Sequence, residues 1–216
     1  MDPQKVGLKR FLFQPAQNAR KCLQVLRWGP QSLLRAFLIA FIPTLVGFGF
    51  EVGQAVPQLR LITARGKKIH VNDYAKSKGK KNLLFIFFRT GNCGICISQL
   101  EEVANRLIEF ESQNTAVLAI SADDAIVQSR TSERIQNKIP ILLDPDAKTV
   151  KLFSVFNPED KLSRPATFLI GPDQKILYQY VGQAISDRPP IPTLLELVTH
   201  YSGGLPKARA VTGIEK

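Results

Sequence analysis

Cys93 and Cys96 stand two residues apart in the stretch Arg89-Thr90-Gly91-Asn92-Cys93-Gly94-Ile95-Cys96, and their type and spacing suit covalent chemistry better than any other residues of the sequence. The thiolate is the reactive form of cysteine, so a working cysteine needs its pKa brought below the ordinary value of about 8.5. The free N–H groups and partial positive charge of a helix amino terminus do this, and Cys93 is expected at such a position. A gap of two residues returns Cys96 to the same turn, where it can attack a mixed disulfide or a sulfenic acid on Cys93 and release product. Cys93 is therefore expected to attack and Cys96 to resolve. Two other readings compete: a pair of small buried hydrophobes, or half of a zinc site. Zinc needs four ligands, and the other candidates, Cys22, His70 and His200, have no knuckle spacing. No metal or other cofactor is expected.

The surrounding pattern supplies the elements that would hold such a pair. Residues 83–88, LLFIFF, form an apolar run short enough for a strand buried on both faces, and it leads directly into the polar turn before Cys93. After Cys96, apolar residues at Ile97, Leu100, Val103, Ala104, Leu107, Ile108 and Phe110 recur at three and four, which predicts an amphipathic helix. Strands are expected at 115–120, 141–143, 166–170 and 176–180, with helices at 124–137, 147–153 and 192–201. Residues 59–71, LRLITARGKKIHV, read as a strand, a turn at Gly66 and a second strand. Alternation of this kind predicts an α/β domain with a largely parallel sheet flanked by helices, and residues 171–175 between the last two strands are the right length for an antiparallel hairpin, which makes the central sheet mixed. In Ser163-Arg164-Pro165-Ala166-Thr167 a proline stands just before a predicted buried strand, and a proline so placed is either a cis residue or an ordinary trans proline at a strand end.

With 216 residues, 44% apolar and 22% charged, the chain can build one well-buried domain plus an appendage. Three cysteines are too few for a disulfide scaffold. The net charge is +11, of which residues 1–35 carry +6, with Asp2 their only acid. No aromatic-interleaved basic motif accompanies this surplus, which argues against nucleic acid as a partner. Residues 36–50, AFLIAFIPTLVGFGF, are uncharged and follow the basic stretch. That order fits a signal anchor, a cleavable targeting signal, or an amphipathic helix packed on the domain or on a membrane surface. Fifteen residues fall short of the ~20 that span a bilayer comfortably. The expected organisation is a leader and hydrophobic segment at 1–51, a folded domain at 52–202 and a loose tail at 203–216. The chain is then membrane-anchored or exported, or cytoplasmic if the segment packs on the domain.

Four pieces, in order, carry a family resemblance: residues 52–57 with Gly66 and Asp73-Tyr74; FIFFRTGNCGIC; LLDPDAKTVKLFSV; and RPATFLIGPDQKI followed by VGQAISDRP. Over about 150 residues the chain resembles the peroxiredoxin-like redoxins of the alkyl hydroperoxide reductase/thiol-specific antioxidant (AhpC/TSA) family, which have a thioredoxin-like fold. The resemblance implies that Pro165 is a cis-proline facing the cysteine pair. It also implies that Thr90 is the threonine of a peroxidatic Thr-x-x-Cys motif, whose hydroxyl hydrogen-bonds a peroxide. An arginine that such proteins carry after the Asp-Pro of the third piece is replaced here by Ala147, leaving Arg164 to stabilise a thiolate at Cys93.

The implied activity is thiol-dependent oxidoreduction, with a thioredoxin-like protein or small thiol as reductant and a hydroperoxide or a protein disulfide as substrate. A Cys-x-x-Cys pair behind a membrane-directed leader also resembles tethered thioredoxin-like disulfide reductases. A third possibility, of another class, is a non-catalytic interaction module on the same fold.

Overall fold

A computed structural model describes residues 49–203. Most of the basic leader and hydrophobic segment, Cys22 and the tail from 204 lie outside the described residues, and so do the readings that rest on them. Among the described residues no helix is long and apolar enough to cross a membrane.

In chain order the elements are β1 (Arg60–Thr63), β2 (Lys68–His70), α1 (Val71–Ser77), β3 (Asn82–Phe87), α2 (Gly94–Asn105), α3 (Leu107–Ser112), β4 (Thr115–Ser121) and α4 (Ala125–Arg134). There follow β5 (Ile141–Leu143), α5 (Lys148–Leu152), β6 (Phe156–Asn157), β7 (Leu162–Ser163), β8 (Ala166–Ile170), β9 (Ile176–Val181) and α6 (Ile191–Tyr201). Seven strands make one mixed sheet in the order β2-β1-β5-β4-β3-β8-β9. Only β3, β4 and β5 run parallel; β8 is antiparallel to β3, β9 to β8, and β1 to both β5 and β2. The parallel character expected from the alternation is thus confined to the centre of the sheet, because the hairpins β1–β2 and β8–β9 close its two sides.

β3 is central, and all six of its residues are buried. Its alternation sends Leu83, Phe85 and Phe87 to one face, where they pack with Val71 and Ala75 of α1, Val150 of α5, and Phe153. Leu84, Ile86 and Phe88 point to the other face, against Leu100 and Val103 of α2 and Leu194 and Val198 of α6. A strand covered on both sides explains the unbroken LLFIFF run. Phe153 sits at the centre of a ring cluster, with centroids 4.8 Å from Phe50, 4.9 Å from Phe87 and 4.9 Å from Phe168.

The single helix expected after Cys96 breaks at Arg106, whose φ of −105° and ψ of 16° separate α2 from α3. The Arg106 guanidinium clasps Glu109 at 2.7 and 2.8 Å. With the register reset, Phe110 is fully buried while Ile108 is turned out and 80% exposed. At the start of the domain, the Gly53 amide donates to the Ile176 carbonyl at 2.8 Å.

Phe153 and the Cys96 side chain lie on opposite faces of the sheet. Phe153→Ala should therefore cost about 3–5 kcal/mol of stability, read as a lower urea midpoint, while the rate of thiol modification of the folded protein stays at its wild-type value.

Candidate active site

β3 ends against its neighbour β4, where the Phe88 amide donates to the Ile120 carbonyl at 3.1 Å. The chain then turns through residues 89–92, the Cys93 amide donating to the Thr90 carbonyl at 3.1 Å, and Cys93 becomes the N-cap of α2 with extended backbone (φ −93°, ψ 112°). Its carbonyl accepts from the Ile97 amide at 3.0 Å, the first turn of the helix. The expected strand-to-helix delivery of Cys93 is what the structure has.

A buried carboxylate fixes this turn. Asp123, just beyond β4, accepts from the Thr90 hydroxyl at 2.7 Å, the Gly91 amide at 2.9 Å and the Ser121 hydroxyl at 2.7 Å. Gln128 of α4 donates to the Ser121 carbonyl at 2.8 Å and extends the network. Gly91 is required by close approach: a Cβ there would lie 2.1 Å from Thr131 Oγ1 and 2.9 Å from Val127 Cγ1 of α4. Thr90 spends its proton on Asp123 and accepts from the Asn92 amide at 3.2 Å. In this structure its hydroxyl holds the turn.

The two thiols are free and differ in exposure: Cys93 is half-buried and Cys96 is completely buried. The two thiols hydrogen-bond each other. Partial burial and the neighbouring Cys96 sulfur push the Cys93 thiol above its ordinary value, outweighing the Cys96 amide and Arg188, which act in the opposite sense. Burial alone would also raise Cys96. Hydrogen bonding from Cys93, from the Arg188 guanidinium and from the Arg89 and Thr90 amides outweighs that burial and holds Cys96 below the ordinary thiol value. Hydrogen bonds from the Cys93 thiol, from the cation and from two backbone amides thus converge on the deeper sulfur.

The guanidinium at the sulfurs is not Arg164. Arg164 Nη2 donates to the Ser154 carbonyl at 2.9 Å, and the Arg164 amide donates to the Val155 carbonyl at 2.7 Å. Arg188, in the loop between β9 and α6, lies instead 3.7 Å from Cys96 Sγ through Nη2 and 2.8 Å from Gln99 Oε1 through Nη1. Arg89, at the turn itself, is paired with Asp160 at 2.6 Å. Pro165 is buried beside the same turn, since its neighbour Ala166 pairs with Phe87. The cis peptide expected before it is not found, as no cis bond occurs among the described residues. As a trans residue Pro165 immediately precedes β8, with its carbonyl accepting from the Gly182 amide at 2.8 Å. Ala147, where the family pattern has an arginine, is a buried left-handed residue (φ 53°) at the N-cap of α5.

Asp123 and Arg188 escaped the sequence reading. Arg188 falls inside the matched piece VGQAISDRP, just before two prolines, and that was its available signal. Asp123 stands in a pair of acids after a strand, a common helix-capping pattern, and indeed Asp124 caps α4 by accepting from the Val127 amide at 2.9 Å.

The AhpC/TSA family profile matches residues 52–179. Among curated proteins, the 1-Cys peroxiredoxin PER1 of Triticum aestivum is 27% identical over 153 residues, which cover 65% of this chain and 68% of that protein. Alkyl hydroperoxide reductase E of Mycobacterium tuberculosis is 27% identical over 122 residues, 56% of this chain and 78% of that protein. Among solved structures, a mutant of peroxiredoxin 6 from Arenicola marina superposes with a TM-score of 0.62 at 17% identity, over 69% of this chain and 72% of that one. AhpC of Enterococcus faecalis gives 0.61 at 17% identity, over 71% and 95%. These superpositions show the thioredoxin-like fold.

Asp123→Ala strands the Thr90 hydroxyl, the Gly91 amide and the Ser121 hydroxyl. Each unsatisfied buried group costs about 1–3 kcal/mol, and some recover water at this partly open edge. The variant should lose about 2–4 kcal/mol by chemical denaturation and show a changed rate of disulfide formation between Cys93 and Cys96.

Proposed function

The chain belongs to the AhpC/TSA family, and from that premise we propose that it is a thiol-dependent peroxidase in which Cys93 attacks a hydroperoxide and Cys96 resolves the product. The observation that carries this reading is the accessible Cys93 at the N-cap of α2, with Cys96 buried beside it. Cys93 attacks the terminal peroxide oxygen as the O–O bond breaks, becoming a sulfenic acid while alcohol or water leaves. Cys96 then attacks the sulfenic sulfur, expelling water and leaving an intramolecular disulfide. An external thiol, thioredoxin-like or small, reduces the disulfide by exchange and restores both thiols. Arg89 adds a second guanidinium near the pair, its charge matched by Asp160.

One observation favours a second substrate class. Ile95, between the cysteines, and Ile185, in the loop that carries Arg188, are 49% and 43% exposed. An apolar rim at the mouth of a Cys-x-x-Cys site suits an extended polypeptide, so protein-disulfide exchange at the same pair is the alternative reading.

Hydroperoxide consumption by the full chain with excess dithiothreitol separates the two. Peroxidase function predicts turnover that falls to the background of dithiothreitol alone in Cys93→Ser. It also predicts that Cys96→Ser accumulates a dimedone-reactive sulfenic acid at Cys93. Turnover at background in the wild type, with the disulfide still able to form, would move the protein to disulfide exchange.

A further inference from the structure

The folded domain carries its surplus of positive charge in one short segment. Residues 49–203 hold nineteen lysines and arginines against sixteen acids, and seven of those cations fall within 65–81, RGKKIHVNDYAKSKGKK, where Asp73 is the only acid. Without that segment the same domain would be negative by three charges. Among the described residues none of the seven is in an ion pair. Lys80 is used inside the fold, its amine donating to the Glu111 carbonyl at 2.8 Å, and the other six are exposed.

The fold gathers these cations around α1. The β1–β2 hairpin brings Arg65, Lys67 and Lys68, α1 brings Lys76, and the loop after it brings Lys78 and Lys81. Two hollows flank the helix, one of about 360 Å³ lined in part by Lys76, Lys80 and Lys81, the other of about 600 Å³ lined in part by Lys67, Lys68 and Lys78, and Asp73 borders both. Ile62, the cross-strand partner of Lys68, is 44% exposed and sets an apolar side chain beside the amines. Lys81 leads into β3 and Cys93 follows it, so this face and the thiols are separated by a six-residue strand about 20 Å long.

We propose that this face docks on an anionic lipid surface, its lysines against the headgroups and the cysteine pair left open to water. The cation chemistry selects the partner. Six of the seven are lysines, point charges on long flexible stems, which suit a diffuse field of negative headgroups. The guanidinium fork that grips one phosphate or carboxylate through paired hydrogen bonds is present only in Arg65. Tyr74 is half-buried with Lys78 over its ring, so it offers no platform on which the bases of a single-stranded nucleic acid could stack. The exposed Ile62 fits an interface whose interior is apolar. The sequence asks for the same surface a second time, since residues 1–35 carry +6 ahead of the uncharged 36–50. The attraction reaches about a Debye length, roughly 8 Å at physiological salt, and weakens as salt is added. It holds whichever substrate the thiols take.

The test is co-sedimentation of the full chain with vesicles of phosphatidylcholine mixed with phosphatidylserine, and with vesicles of phosphatidylcholine alone. The wild type should partition more strongly onto the mixed vesicles, and added salt should remove the difference. The triple variant Lys76→Gln, Lys78→Gln, Lys81→Gln, shown to be folded by circular dichroism, should partition onto the mixed vesicles about 100-fold less, at about fivefold per lysine. Its partition onto phosphatidylcholine alone should equal that of the wild type. On the mixed vesicles, acetylation mapped by peptide mass should be suppressed at Lys67, Lys68, Lys76, Lys78 and Lys81 and unchanged at the exposed Lys148 and Lys161, while iodoacetamide still reaches Cys93. No readout uses a peroxide, so the outcome is distinct from success or failure of the peroxidase reading. Equal partition of the wild type onto both vesicles would overturn the proposal, as would a folded triple variant that partitions like the wild type or protection confined to residues 1–48. Binding to polyglutamate without binding to the mixed vesicles would also overturn it, and would make the partner an acidic polypeptide.

Discussion

The site depends on the seam where β3 ends beside β4. There one carboxylate, Asp123, gathers the hydroxyls of Thr90 and Ser121 and the Gly91 amide into a buried clasp. Parallel strands present their carboxyl ends together, and a chain leaving such an end must turn over the sheet edge before it can start a helix. The clasp determines where that turn sits and so where the amino terminus of α2 begins. Cys93 inherits its position from this geometry. The close fit of Gly91 against α4 adds a steric limit to the polar one.

On that frame the electrostatics are divided between two depths. The upper sulfur is reachable and disfavoured as an anion, while the lower is sealed among Leu100, Val103 and Ile86 and favoured as an anion by the groups that converge on it. A helix amino terminus alone would favour the N-cap cysteine. At Cys96 the hydrogen bonds come from the Cys93 thiol, from a guanidinium of a distant loop and from two backbone amides, and the loop is far away in sequence, which is why local spacing could not reveal it. Arg188 and Cys96 are 92 residues apart.

Much of the architecture was legible. The LLFIFF run, the period-three-and-four face of α2 and the strand-turn-strand pattern near β8 each follow from local chemistry that the fold does not override. The break at Arg106 was not legible, because no glycine or proline marks it and the apolar spacing continues through it. The two-residue strands β6 and β7 carry too little pattern to be seen. At the site, the cysteines and their place at a strand-helix junction could be read directly, whereas the parts assigned to Thr90, Pro165 and Arg164 were inferred from resemblance. Neighbours in space occupy each of these residues structurally. Asp123 takes the Thr90 proton, β8 begins after a trans Pro165, and the Ser154 carbonyl takes the Arg164 guanidinium.

Central to the proposed function is a two-electron oxidation contained within one Cys-x-x-Cys turn. The most direct measurement is intact-protein and peptide mass spectrometry of the reduced full chain after one equivalent of an organic hydroperoxide. The expected result is loss of two hydrogens, located to a disulfide between Cys93 and Cys96 with Cys22 still free. An unchanged mass with the hydroperoxide unconsumed, or oxidation confined to residues other than this pair, would contradict it.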